Sequence, residues 1–149
     1  MRSQAPSPTF LYAIVCIVIG ASPAGAWAQN ASASGTSLFT AAQAERGRTV
    51  YANVCAACHG ATLAGGASIA LTGDSFEARW SHPDMTVDDL FYVVRTTMPP
   101  GGATSVPVTD QAAALAYILQ SNGYTAGTTE LAVGSSALAR RFPSGHAAT

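Results

Sequence analysis

Apolar residues recur at helical spacing through the middle of this chain, and no segment alternates as a half-buried strand would. Thr40 followed three residues later by Gln43 fits a capping box, with Phe39 against Ala44 as a hydrophobic staple, so a helix is expected from Ala41 to about Val54. Asp74 and Glu77 cap a short helical turn reaching Trp80, and His82-Pro83 interrupts it. Thr86 reads as the N-cap of a further helix. Asp88 and Asp89 suit its positive end, Val87, Leu90, Phe91 and Val94 line one side, and Arg95 closes it. The run Met98-Pro99-Pro100-Gly101-Gly102 forbids helix and gives a stiff turn, because neither proline donates a backbone hydrogen bond. A last helix from Thr109 or Asp110 to Gln120 carries Ala112, Leu115, Ala116 and Leu119 at spacings of 3, 4 and 7, and Asn122-Gly123 ends it. Between Gly60 and Gly73 there is no period, so something other than regular structure must organise that loop. The expected class is all-α.

The two ends read differently from the middle. Residues 1–28 have the form of a secretory signal: Arg2 as a short positive region, Phe10 to Ile19 as an unbroken apolar run, and Ala26-Trp27-Ala28 as a small-x-small cleavage pattern. A spanning anchor needs about 20 apolar residues, and this run meets Gly20, Ser22 and Pro23 first. Cys16 lies inside the run behind Val15, which does not suit lipid attachment. The expected product is therefore an exported, periplasmic chain with no membrane span after cleavage. Residues 29–38 read as a flexible lead-in, 39–123 as the folded domain, and 124–149 as an extended or disordered tail rich in Thr, Gly, Ser and Ala. A chain of 149 residues leaves room for one domain of ordinary size.

Charge narrows the function classes. Seven basic residues, all arginine, face eight acidic ones, and after removal of the signal six arginines face the same eight acids, a net charge of −2. No basic stripe is available for a nucleic-acid backbone. With no lysine at all, Schiff-base chemistry and a lysine-ringed docking face are both excluded, so a protein partner has to be met through apolar and neutral contacts.

The chemistry lies in Cys55-Ala56-Ala57-Cys58-His59, the attachment pattern for a c-type haem. Two thiols separated by two residues on a helical turn reach the two vinyl groups along one porphyrin edge, and the adjacent imidazole then meets the iron. A structural zinc site would need four ligands, and only His82 and His146 remain to complete one. A redox dithiol belongs beside a βαβ pattern that this chain lacks, and a disulfide across so short a loop is strained. The sixth iron ligand decides between chemistry and electron traffic. The candidates are Met85, Met98, His82 and His146, and Met98 is best placed: it follows a helix, is stiffened by two prolines, and lies far enough past His59 to return across the opposite face.

On these residues the chain resembles a class I c-type cytochrome over about residues 40–123. CAACHG followed by LAGG, the ALTG segment, RTTMPPGG and the closing AAALAYILQSNGY are similar to the cytochrome subunits and domains that serve pyrroloquinoline-quinone alcohol dehydrogenases. The resemblance implies a small all-α fold of three to five helices around one covalently attached haem c. It also implies a crossing of Gly47 and Tyr51 against the last helix near Tyr117, where the residues alone left open a tolerated surface glycine. In the family a proline often stands two residues before the leucine of P-x-L-x-G, and its carbonyl accepts from the iron-bound histidine. Ile69 takes that place here, ahead of Leu71 and Gly73. Trp80 and Arg95 are the residues the resemblance offers to the haem propionates, where the residues alone leave open a core tryptophan and a helix-end arginine.

The expected function is electron transfer, without catalysis of its own. Cys55, Cys58, His59 and Met98 hold the cofactor, and His59 and Met98 ligate the metal. The expected partners are redox proteins: a periplasmic dehydrogenase as donor, of quinoprotein type by resemblance, and a cytochrome or oxidase of a respiratory chain as acceptor. The alternative is a haem enzyme or gas sensor whose distal face is open, in which case Met98 is a core residue beside a turn.

Overall fold

A computed structural model describes residues 37–142. The signal segment, nearly all of the lead-in and the last residues of the tail, His146 among them, lie outside the described residues. The elements follow in the order α1 (Ala41–Val50), a π-helical turn (Tyr51–Cys55), α2 (Ala56–His59), α3 (Asp74–Trp80), α4 (Val87–Thr97), a 3-10 turn (Ala103–Ser105) and α5 (Val108–Ser121). Among the described residues there is no strand. Two isolated bridges, Thr40 with Gly127 and Thr86 with Arg141, are the extended pairings present there.

Each helix begins for a local reason. Thr40 Oγ1 accepts from the Gln43 N–H at 3.1 Å and opens α1. Thr86 and Asp89 form a reciprocal capping box at the start of α4. α3 starts differently from expectation: its N-cap is Gly73 at φ +67°, with no side-chain cap, and Asp74 and Glu77 lie inside its first turn. The first helix outruns its expected end at Val54, because the π turn carries helical backbone on to His59, and Gly60 at φ +81° stops it.

The fold is organised by α1 crossing α5 at backbone contact. A Cβ on Gly47 would stand 1.8 Å from the Ala113 carbonyl oxygen, so only glycine lets the two helices approach this closely. One turn on, the Tyr51 and Tyr117 rings pack with centroids 5.4 Å apart, which is the crossing the family resemblance implied. Around the contact with Ala113 and Ala114, α5 is built of small residues, Ala112, Ala113, Ala114 and Ala116, all buried.

Residues 124–142 are irregular but not a tail. Tyr124, Leu131, Leu138 and Phe142 are buried in the same core as the helices, and the rings of Phe76, Tyr124 and Phe142 meet edge-on at 6.0 to 6.5 Å. Besides short turns of its own, the segment bonds to the starts of helices. Carbonyls of Arg140 and Leu138 accept from the Val87 and Asp88 N–H groups at 2.9 Å each, two of the donors that the start of α4 leaves without a helical partner. Gln43, 2% exposed, exchanges two amide bonds with the backbone of Leu131, at 2.7 and 2.8 Å. At the other end Leu38, 1% exposed, belongs to the core and not to the lead-in. Periodicity could not find either segment, because both are irregular and owe their burial to a core shared with distant helices.

Candidate haem-binding site

The helical run ending in α2 delivers the attachment residues together. Cys55 closes the π turn, half-buried, and its burial raises its pKa, while Cys58 is exposed and His59 is 8% exposed. Both thiols are free. The Nδ1 of His59 lies 2.8 Å from the Ile69 carbonyl. A carbonyl only accepts, so Nδ1 carries the proton and Nε2 is left with its lone pair, the form an imidazole needs to ligate a metal. Isoleucine in place of the family's proline therefore keeps this bond.

The loop after His59 has no periodic signal because other groups hold it. Gly65 N–H donates to the His59 carbonyl and Ser68 N–H to the Cys58 carbonyl, each at 2.9 Å. Tyr51 Oη donates to the Gly60 carbonyl at 2.7 Å. Burial, with Cys55 and Tyr117 nearby, pushes the Tyr51 pKa up to about 12, so this phenol remains a neutral donor at any ordinary pH. Farther along, Asn122 is 1% exposed at the end of α5. Its Nδ2 donates to the Leu71 carbonyl at 2.8 Å and its Oδ1 accepts from Gly73 N–H at 3.2 Å. The stretch that presents the Ile69 carbonyl to His59 is thus anchored to the last helix.

Beside the attachment residues lies a cleft of about 1030 Å³ of empty space, partly open to solvent. Cys55, Cys58, His59 and Met98 all line it. Its walls are otherwise mainly apolar, with Val54, Leu71, Trp80, Leu90, Val94 and Ile118 among them. Met98 is the C-cap of α4, where the backbone turns from helical to extended before Pro99 and Pro100. The other candidates fall elsewhere: Met85 packs against the core, and His82 is exposed in the connection from α3 to α4. Neither borders the cleft. Among the described residues no group of three or more His, Cys, Asp or Glu side chains gathers as an ion site.

A flat apolar macrocycle fits this donor set. Two thiols three residues apart on one helical turn, an imidazole with its free nitrogen and a thioether all border one apolar space. The residues for the acidic edge of the ring are not quite those expected. Trp80, 7% exposed, does line the cleft, but Arg95 does not; its guanidinium lies 5.1 Å from the exposed Tyr92 ring. Arg79 is the arginine in the lining. Two buried amides also escaped sequence reasoning, Asn122 and Gln111. The available signal was a polar residue on the otherwise apolar stripe of α5, which Gln111 shares with Leu115 and Ile118.

Comparison with known proteins agrees with the site. The family model described as cytochrome C oxidase, cbb3-type, subunit III matches residues 42–118. No curated protein and no solved structure matches the chain. That match covers just over half of the chain and the whole run from the first helix through Cys55, Cys58 and His59 to the last, so the chain belongs to this family of c-type cytochrome domains and its cofactor is covalently bound haem c.

Proposed function

We propose that the protein is a periplasmic one-electron carrier in which Cys55 and Cys58 hold the haem, His59 and Met98 are its axial ligands, and a dehydrogenase is the donor. When bound, the haem supplies an iron that cycles between Fe(III) and Fe(II). The residues do the rest. The Ile69 carbonyl fixes the tautomer and direction of His59. The prolines after Met98 restrict the loop that presents its sulfur, and a thioether favours the reduced ion more than a second imidazole would. The mainly apolar walls would shield a bound haem in part from water, which favours the less charged reduced form.

The observation that carries this reading is that all four candidate residues border one apolar cleft. The similarity of the motifs to quinoprotein-associated cytochromes supports a dehydrogenase as donor, and the family description, which names an oxidase subunit, supports an oxidase as acceptor. Among the residues that line the cleft, exposed Cys58, Ile69 and Pro100 included, none is acidic and Arg79 is the one arginine, which supports docking by mainly neutral contacts.

The test is an optical and potentiometric titration of the purified holoprotein and of Met98→Ala. The native oxidised form should show the weak sulfur-to-iron band toward the red. The variant should lose it, with a potential lower by roughly 0.1 V, a fraction of the ~0.8 V span that axial ligands command. A native protein without the band, with a high-spin spectrum, would overturn the assignment and favour a haem enzyme or gas sensor.

A further inference from the structure

We infer that Gln111 is a positioning residue for the distal side of the haem: its buried amide ties the methionine loop to α5 and thereby sets how firmly Met98 stays at the metal. The inference rests on the assignment of Met98 as the distal ligand made above.

Gln111 lies in the first turn of α5 and is 4% exposed. It borders the cleft together with Met98, Val106, Ala114 and Ile118. A primary amide in so apolar a setting is costly unless bonded, and its Nε2 donates to the Ala103 carbonyl at 2.8 Å. Ala103 opens the 3-10 turn in the loop that begins at Met98. Between the ends of that loop, which continue into α4 and α5, the other bonds of Pro99 to Val106 are internal. Gly102 N–H donates to the Pro99 carbonyl and Ser105 N–H to the Gly102 carbonyl, each at 2.9 Å, and Ser105 Oγ donates to the same Gly102 carbonyl at 2.6 Å.

Internal bonds shape the loop and move with it. The Gln111 bond crosses from loop to helix, so it must break when the loop lifts and carries Met98 away. Lifting then leaves a buried amide and a carbonyl to find new partners, which raises the cost of opening the distal face. Removing the amide lowers that cost without touching the ligand itself.

The experiment titrates oxidised holoprotein with imidazole and follows loss of the sulfur-to-iron band, in the native protein and in Gln111→Leu, Gln43→Leu and Met98→Ala. Gln111→Met, unbranched and of similar length, runs in parallel in case the leucine variant does not accumulate. Gln43 is the control because its amide is as deeply buried and doubly bonded, yet it does not border the cleft. The Gln111 variants should retain the band without imidazole and bind imidazole about tenfold more tightly than native protein, the equivalent of about 1.4 kcal/mol. Gln43→Leu should lose stability to denaturant but keep native imidazole affinity. Native affinity in both Gln111 variants, or an equal gain in Gln43→Leu, would reduce Gln111 to a core amide and overturn the inference. A band that survives in Met98→Ala would instead overturn the ligand assignment, which separates the two failures.

Discussion

The two loops that flank the cleft are held in opposite ways. The stretch from Gly60 to Gly73 is fastened on several sides: Tyr51 bonds the Gly60 carbonyl, Gly65 and Ser68 bond back to His59 and Cys58, and Asn122 grips Leu71 and Gly73. The stretch from Met98 to Pro107 is closed mainly on itself, with Gln111 as its side-chain bond to α5. Histidine is thus set in a scaffold, whereas methionine is presented by a local turn with one cross-tie. Under the proposed function this division has a physical sense, because one fixed ligand would be enough to define the site and the second could then tune the potential. Whatever opens the site should open it from the methionine side.

The sharpest way to break the comparison is to remove the anchor on the histidine side. Asn122→Ala strands the Leu71 carbonyl and the Gly73 N–H in a buried place, so it should cost about 2–4 kcal/mol of stability in denaturant unfolding of the holoprotein. Gln111→Leu strands only one carbonyl and should cost about 1 kcal/mol in the same assay. Equal losses would mean that the two loops are equally anchored.

Tyr51→Phe comes next, at about 1 kcal/mol for one net hydrogen bond. Its pH signature is specific. Burial pushes the folded pKa of Tyr51 up to about 12, above the ordinary tyrosine value of 10.0, so the fold favours the neutral phenol. That stabilisation is complete below pH about 10 and is lost as pH rises through about 12, because the unfolded chain releases the proton first. Tyr124, also raised by burial, acts in the same direction. The denaturation midpoint should therefore fall in this window, and less steeply in Tyr51→Phe. An identical slope in both proteins would remove Tyr51 from the account.

Much of this could be read from residues alone. CAACH named the cofactor chemistry, Thr40 and Thr86 named two helix starts, and the prolines after Met98 marked a turn that borders the cleft, all because these signals act within a few residues of themselves. Asn122 was legible only as a helix stop. Its partners lie about fifty positions away, and nothing in an asparagine announces them. Arg79, not Arg95, lines the cleft because of how α3 and α4 face it, which a single helix pattern does not contain. Residues 124–142 failed for a third reason: four buried apolar side chains spread along an irregular path leave no period, yet they complete the core.

A smaller effect sharpens the comparison in time instead of energy. In hydrogen exchange of the holoprotein, the amides of Ser68 and Leu71, bonded to Cys58 and Leu63, should be protected longer than those of Gly102 and Ser105. The reverse order would contradict the anchored histidine side. The smallest effect expected is at the rim, where Arg79 is the charged residue: Arg79→Gln and added salt should each change the electron-transfer rate only slightly, and a steep salt dependence would contradict neutral docking.

The most direct test of the account is the proton spectrum of the reduced holoprotein beside that of Met98→Ala. A methionine held over the ring should give one three-proton resonance displaced far upfield by the ring current, present in the native protein and gone from the variant. Its absence from the native protein, or its persistence in Met98→Ala, would contradict the pairing of His59 with Met98.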